Sequence, residues 1–137
     1  MPANVVEYRR ALHQIPELDN QLPETLAYVT RVLAGLPCRL SNPIRGCVCA
    51  FFDAGKPDAV AFRADMDALP VTETAEVPYA SVHPGAMHAC GHDGHTAMAL
   101  ALAVWAAEHL AELPRNLLLV FQPSEETTGG AKLLCET

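Results

Sequence analysis

Asn116-Leu-Leu-Leu-Val-Phe-Gln122 is a seven-residue apolar run closed by Pro123 and preceded by Pro114. It has the length of a strand, too short for a helix of ordinary size, and no polar residue alternates inside it. A strand of this kind belongs in the interior of a sheet covered on both faces. Upstream, a helix is expected from about His95 to Leu113, ended by Pro114; apolar nearly all round, it should be covered on both sides. Downstream, Gly129-Gly130 opens a last helix. Further back, Gly46–Phe52 and Asp58–Ala64 read as short buried strands joined by a turn at Gly55-Lys56-Pro57. Two helices precede them, one from Asn4 to about Ile15 and one after Pro23. From Asp67 to Gly94 the chain reads as loop. This order is that of an α/β layered domain.

The 137 residues suffice for one domain with a real core, and half of them are hydrophobic. Nine Lys+Arg stand against sixteen Asp+Glu, with a net charge of −7 and no basic block. That excludes a nucleic-acid groove or an anionic membrane surface as partner. The longest apolar run, Ala97 to Ala107, is too short to span a bilayer, and no secretory leader is visible. Five cysteines, an odd number at irregular spacing, fit reduced thiols in a cytoplasmic compartment. Small core residues is the expectation for all of them except Cys90. The last helix opens just before the sequence stops, so the chain is expected to be part of a longer protein, with a free sheet edge where later strands would pair.

Three clusters carry chemistry. His88-Ala-Cys90-Gly-His92-Asp93-Gly-His95 packs three imidazoles, a thiol and a carboxylate into eight positions, a donor set suited to Zn²⁺, Co²⁺ or Mn²⁺. The Cys-x-His spacing would put both ligands on one side of an extended loop, and Asp93 occupies a helix N-cap position. Gln122-Pro-Ser-Glu125-Glu126 sits at the carboxyl end of the best strand, where open α/β sheets gather ligands. In extended chain the two carboxylates point apart, which suits two jobs: one ligates, the other takes a proton. Asp65 and Asp67, two residues apart, would project together and accept the spare N–H of a ligating imidazole, unless Arg63 simply pairs with one of them. His13, His83, His88 and His109 are expected in surface or loop roles, and His95 in support of a ligand or as a helix cap. Thiolate, imidazole, ligating carboxylate and spare carboxylate together are the inventory of a metal-assisted hydrolase.

Four strings, Leu12-His-Gln-Ile-Pro-Glu-Leu18, Arg63-Ala-Asp-Met-Asp-Ala-Leu-Pro70, Met87-His-Ala-Cys-Gly-His-Asp-Gly-His-Thr96 and Gln122-Pro-Ser-Glu-Glu126, occur in this order. They resemble the metal-dependent amidohydrolases that include hippurate hydrolase, N-acyl-amino-acid deacetylases and indole-acetyl-amino-acid hydrolases. The resemblance covers nearly everything after about Tyr8. It implies a zinc-peptidase-like α/β catalytic domain, helices on both faces of a mixed sheet, truncated here. It implies Cys90, His92 and Glu126 as metal ligands, Glu125 as general base and Asp67 as a supporting carboxylate near the metals. Two divalent ions (Mn, Zn, Co or Ni), an N-acyl amino acid substrate and a homodimer are implied for the longer protein. Residues 1–137 would be the N-terminal part of the catalytic domain, with the dimerisation domain and the remaining catalytic segment absent. Two departures stand out. Ile15 replaces the histidine usual in the opening string, a matter of local packing. No histidine follows Glu126, whereas the family draws two more ligands from downstream. The alternatives are an inactive fragment holding at most one metal, and a hydrolase with Cys90 as nucleophile.

Overall fold

In the computed structural model, which describes residues 4–137, one mixed sheet runs in the order β1 (Arg39–Ser41), β2 (Val48–Phe52), β4 (Asn116–Gln122), β3 (Ala59–Asp65). The Asn116–Gln122 strand is interior: β4 pairs antiparallel with β2 and parallel with β3. The two strands flanking the Gly55-Lys56-Pro57 turn are thus not partners, because β4 lies between them. Asn116 ties the turn to the sheet. Its Oδ1 accepts from the N–H groups of Ala54 (2.8 Å) and Lys56 (3.2 Å), and its Nδ2 donates to the Lys56 carbonyl (2.9 Å). β1, a three-residue exposed edge strand, has no signal in the apolar pattern.

Alternation along the strands sorts the sheet into two faces. Val48, Ala50 and Phe52 pair with Phe121, Leu119 and Leu117, and all six join one buried cluster. Helix α1 (Val5–His13) adds Tyr8 and Leu12, and α2 (Pro23–Ala34) adds Val29 and Leu33. Helix α3 (His92–Glu108) adds Leu100 and the fully buried Ala97, Ala103 and Ala106, whose small side chains allow close approach to the sheet. The helix starts are set by specific groups. The Asn4 side chain accepts from the Glu7 N–H (3.0 Å), and the Glu17 carboxylate accepts from the N–H groups of Glu24 (3.2 Å) and Thr25 (2.7 Å) at the head of α2. A short helix, α4 (Gly130–Cys135), follows β4.

Several expectations need correction. Asp58–Ala64 was expected to be a buried strand, but β3 is exposed from Ala59 to Arg63 because it forms a sheet edge; only Ala64 and Asp65 are covered. The second face of the sheet, carrying Phe51, Leu118 and Val120, is half-buried. Helix α3 is buried on one side only, with Met98 58% and Trp105 50% exposed. It also begins three residues earlier than expected, at His92, and His109 caps its other end and stacks on Trp105. Cys47 and Cys49 are small core residues as expected, but Cys38 is half-buried and Cys135 exposed. Among the described residues, no helix is long and apolar enough to cross a membrane.

The Asn116 amide serves three backbone groups that would otherwise go without these partners. Asn116→Ala is expected to cost about 1–3 kcal/mol. In urea titration the midpoint should fall with an unchanged slope.

Candidate metal centre

The parallel pair β3 and β4 ends in register, Asp65 beside Gln122, so the two outgoing loops leave the sheet side by side. One carries Asp67, the other Glu125 and Glu126, and the first turn of α3 brings His92 onto both. Asp67 locks the junction. Its buried carboxylate accepts from the Glu125 N–H (Oδ1, 3.0 Å) and the Glu126 N–H (Oδ2, 2.9 Å). Its carbonyl accepts the His92 Nδ1–H at 2.7 Å. A carbonyl only accepts, so that bond puts a hydrogen on Nδ1, and in the neutral ring it is Nε2 that carries the lone pair for a ligand bond. The spare imidazole N–H was expected on a carboxylate; it goes to backbone, with Asp67 Oδ1 farther off at 3.5 Å.

The free nitrogen faces an acidic wall: Asp65 Oδ2 at 3.4 Å, Glu126 Oε1 at 3.5 Å and Glu125 Oε2 at 3.8 Å. The two glutamates therefore converge, contrary to the divergence expected of extended chain. The cause is Ser124, whose φ of 59° turns the backbone left-handed just after β4. Ligand atoms of Cys90, His92 and Glu126 lie within 4.8 Å of one another. Cys90 and His92 meet across Gly91, not along an extended loop. Gly91, at φ 102°, is the N-cap of α3, a conformation L side chains rarely adopt. Asp93, expected as cap, instead lies in the first helical turn. It is buried, paired with Arg9 Nε (2.9 Å) and His13 Nδ1 (2.7 Å).

Cys90 is exposed, and a hydrogen bond to Glu126, slight burial and the surrounding carboxylates push its thiol above the ordinary range. An activated nucleophile needs the opposite environment. A cation reverses the balance, since a coordinating thiol deprotonates. The donors thus fit a divalent ion of intermediate softness. Asp65, His92 and His95 form a second group within the same reach. Both groups use His92, whose Nδ1 is already committed, so His92 ligates through one of them at a time.

Asp65 is pulled two ways: burial raises its carboxyl, but the His95 hydrogen bond (2.6 Å) and the neighbouring imidazoles hold it below the ordinary value. Arg63 does pair with it, at 3.0 Å. His95 is half-exposed and stacked on His92, with ring centroids 5.7 Å apart; it caps nothing. His13 and His88, expected in surface or loop roles, are buried, His13 at the end of α1 and His88 in the loop before α3. His13 bridges Asp93 and Glu73 (3.0 Å), so the buried charges are matched. His83, half-buried, pairs with Glu24. Sequence reading missed Asp19, Ser124 and Thr127, which brace the Glu125–Glu126 loop; what marks them is the left-handed backbone of Asp19 and Ser124, and that is invisible in composition.

Donors of thiolate, imidazole and carboxylate type, gathered at the carboxyl ends of parallel strands, define the class of α/β metallohydrolases. The chain belongs to peptidase family M20/M25/M40, whose sequence model matches residues 61–137. An uncharacterized hydrolase of Staphylococcus aureus is 44% identical over 133 residues, which are 95% of this chain and 34% of that protein. The Bacillus subtilis YXEP protein, a dinuclear metal binding peptidase of the M20 family, superposes with a TM-score of 0.90 at 36% identity. That match covers 96% of this chain and 38% of the other. An aminobenzoyl-glutamate utilization protein of Klebsiella pneumoniae gives a TM-score of 0.75 at 26% identity over 96% and 39% of the two chains. The chain thus spans about a third of the length of the curated relatives it matches.

His88 yields a pH prediction. Both of its ring nitrogens are buried without a hydrogen-bond partner, and burial pushes its pKa down to about 4. Below its unfolded value of 6.5 the unfolded chain binds the proton first, so stability falls as pH drops from 6.5 towards 4. At about 1.4 kcal/mol per unit the loss approaches roughly 3 kcal/mol. His88→Leu should flatten that part of the acid limb in chemical denaturation run across this window, and it should not destabilise the protein at neutral pH.

Proposed function

We propose that this chain supplies the N-terminal part of the catalytic domain of a metal-dependent amidohydrolase cleaving N-acyl amino acids or similarly small amides. The observation that carries the reading is the convergence of Cys90, His92 Nε2 and Glu126 within 4.8 Å, with Glu125 beside them. Cys90, His92 and Glu126 would hold the ion. A bound divalent ion supplies Lewis acidity, which acidifies water and polarises a carbonyl. Glu125, its carboxylate partly exposed at the rim, takes the proton from water and returns it to the leaving amine. Asp67 acts as a positioning residue, fixing the Glu125 and Glu126 backbone and the His92 tautomer. Five cysteines, with none of them disulfide-bonded, support work in the cytoplasm. A homodimer of the longer protein and two ions from the set Mn, Zn, Co and Ni complete the proposal.

One observation favours a more limited reading for the 137 residues by themselves. The two donor groups share His92, so by itself the chain offers a seat for at most one ion through that imidazole; on this reading it is an inactive fragment.

Elemental analysis of the chain after loading with Mn²⁺ or Zn²⁺ tests the assignment. Close to one ion per chain is expected, lost in Cys90→Ser and retained in Glu125→Gln. Occupancy should fall as pH falls, because Cys90 binds as thiolate and starts from a raised pKa. In the longer protein, Glu125→Gln should lower kcat by about 10²–10⁴ while the metal stays. Metal that is retained in Cys90→Ser and indifferent to pH would overturn the ligand set.

A further inference from the structure

The loop bearing Glu125 and Glu126 is held from two sides by carboxylates remote in sequence. Asp67 takes its outer N–H groups, as described. On the opposite side stands Asp19, in the turn between α1 and α2 and 105 residues away from Ser124. Asp19 Oδ1 accepts from the Ser124 hydroxyl at 2.7 Å and from the Thr127 hydroxyl at 2.6 Å. The Asp19 carbonyl accepts the Ser124 N–H at 3.1 Å. Asp19 and Ser124 are the two non-glycine residues with positive φ among the described residues, at 57° and 59°. Backbone held in that region persists only when its surroundings over-determine it. Here they do. Ser124's own carbonyl accepts from the N–H groups of Gly129 (2.9 Å) and Gly130 (3.3 Å), closing the loop on itself. The approach of the two segments leaves no spare room: a Cβ on Gly46 would lie 2.9 Å from the Asn20 carbonyl and 3.1 Å from Pro123 Cβ.

We infer that Asp19 is a positioning residue for the acid–base and ligand pair: by gripping Ser124 and Thr127 it enforces the left-handed turn that makes Glu125 and Glu126 converge on His92. The inference rests on the proposed function for its consequence at the metal, but the grip itself is a statement about the loop alone. Without Asp19, Ser124 relaxes towards ordinary β-region backbone. The two glutamates then separate in the way an extended chain dictates. Asp19→Asn keeps the oxygen acceptor for both hydroxyls and tolerates positive φ, whereas Asp19→Ala keeps neither.

The experiment has two readouts on the intact 137-residue chain. Amide hydrogen exchange of residues 124–130 is compared among wild type, Asp19→Ala and Asp19→Asn, with the Leu119 and Phe121 amides of β4 as the internal standard. Asp19→Ala is expected to speed exchange of the loop about tenfold and leave β4 unchanged, with Asp19→Asn close to wild type. Loop protection unchanged in Asp19→Ala would overturn the grip. Should Asp19→Ala also expose β4, Thr127→Val carries the same comparison, since it removes one hydroxyl donor and leaves the Asp19 turn alone. A loop rise of about threefold is expected, and no rise overturns the inference.

The second readout is Co²⁺ titration followed by thiolate-to-metal absorption. Asp19→Ala should weaken Co²⁺ binding at least about tenfold, with rescue in Asp19→Asn. Equal Co²⁺ affinity in wild type and Asp19→Ala would overturn the positioning role even if exchange changes. If wild type binds no Co²⁺, the metal reading of Cys90, His92 and Glu126 fails, and the exchange comparison alone decides whether Asp19 grips the loop.

Discussion

Everything at the site hangs on a buried carboxylate, that of Asp67, and on what it is asked to hold. A carboxylate 1% exposed must have its charge met by donors or it would not stay ionised. The donors are the two consecutive N–H groups of Glu125 and Glu126, and the carbonyl of the same residue takes the proton of His92 Nδ1. One residue thereby joins the end of β3, the loop after β4 and the first turn of α3. The two bonds to the carboxylate are charge-assisted, the strong kind, and all three are shorter than 3.1 Å. The parallel register of β3 against β4 makes it possible, because it delivers the two loops at the same height.

The electrostatic sense of the arrangement follows. Asp65, Glu125 and Glu126 all lie within 4 Å of His92 Nε2, and Cys90 adds a thiol whose ionisation they oppose. Arg63 and His95 offset part of the charge on Asp65. Glu125 and Glu126 have no comparable cationic partner among the described residues, and each stays partly exposed. Like charges gathered this closely are stabilised by a cation between them, and the stabilisation is largest where the site is least hydrated. The same crowding that makes Cys90 a poor nucleophile makes the group a good divalent seat.

Much of this was legible in the sequence. The apolar run from Asn116 to Gln122 marked the interior strand, Pro16 and Pro23 marked helix limits, and the donor types in the Cys90–His92 and Glu125–Glu126 strings marked the chemistry, whereas α3 ends at Glu108, well short of Pro114. What stayed hidden has physical causes. Strand order is not a local property, so nothing near Gly55 announces that β4 inserts between β2 and β3. Exposure of Phe62 and Trp105, 53% and 50%, depends on where the sheet ends and not on their own apolar neighbours. The convergence of the glutamates turns on one left-handed serine, and serine carries no preference for that region. Its enforcer, Asp19, is brought near only by the folded chain. His13 and His88 were expected in surface or loop roles because polarity is read locally, whereas both are buried, His13 against Asp93 of α3 and His88 within the loop ahead of it.

His92 depends finally on α1, which among the described residues makes no hydrogen bond or ion pair to the donors themselves. A ligand on the first turn of a helix is only as well placed as that turn, and helix ends fray unless they are tied. In α3 the tie is Asp93, next to His92. Its buried carboxylate sits in the first turn, where negative charge is favoured, and is held by Arg9 and His13 from α1. His13 passes the connection on to Glu73 in the long loop between β3 and α3, and Glu73 in turn accepts the Ser81 N–H. Helix α1 is packed along α3 by Tyr8 and Leu12, so apolar contact sets the distance while the Arg9–Asp93–His13 cluster sets the register. The string Leu12-His-Gln-Ile-Pro-Glu-Leu18 thereby carries three structural jobs: Leu12 packs the core, His13 anchors the start of the ligand helix and Glu17 caps α2. Asp19, one residue further on, reaches the glutamate loop. One short segment near the start of the chain therefore orients both halves of the donor set.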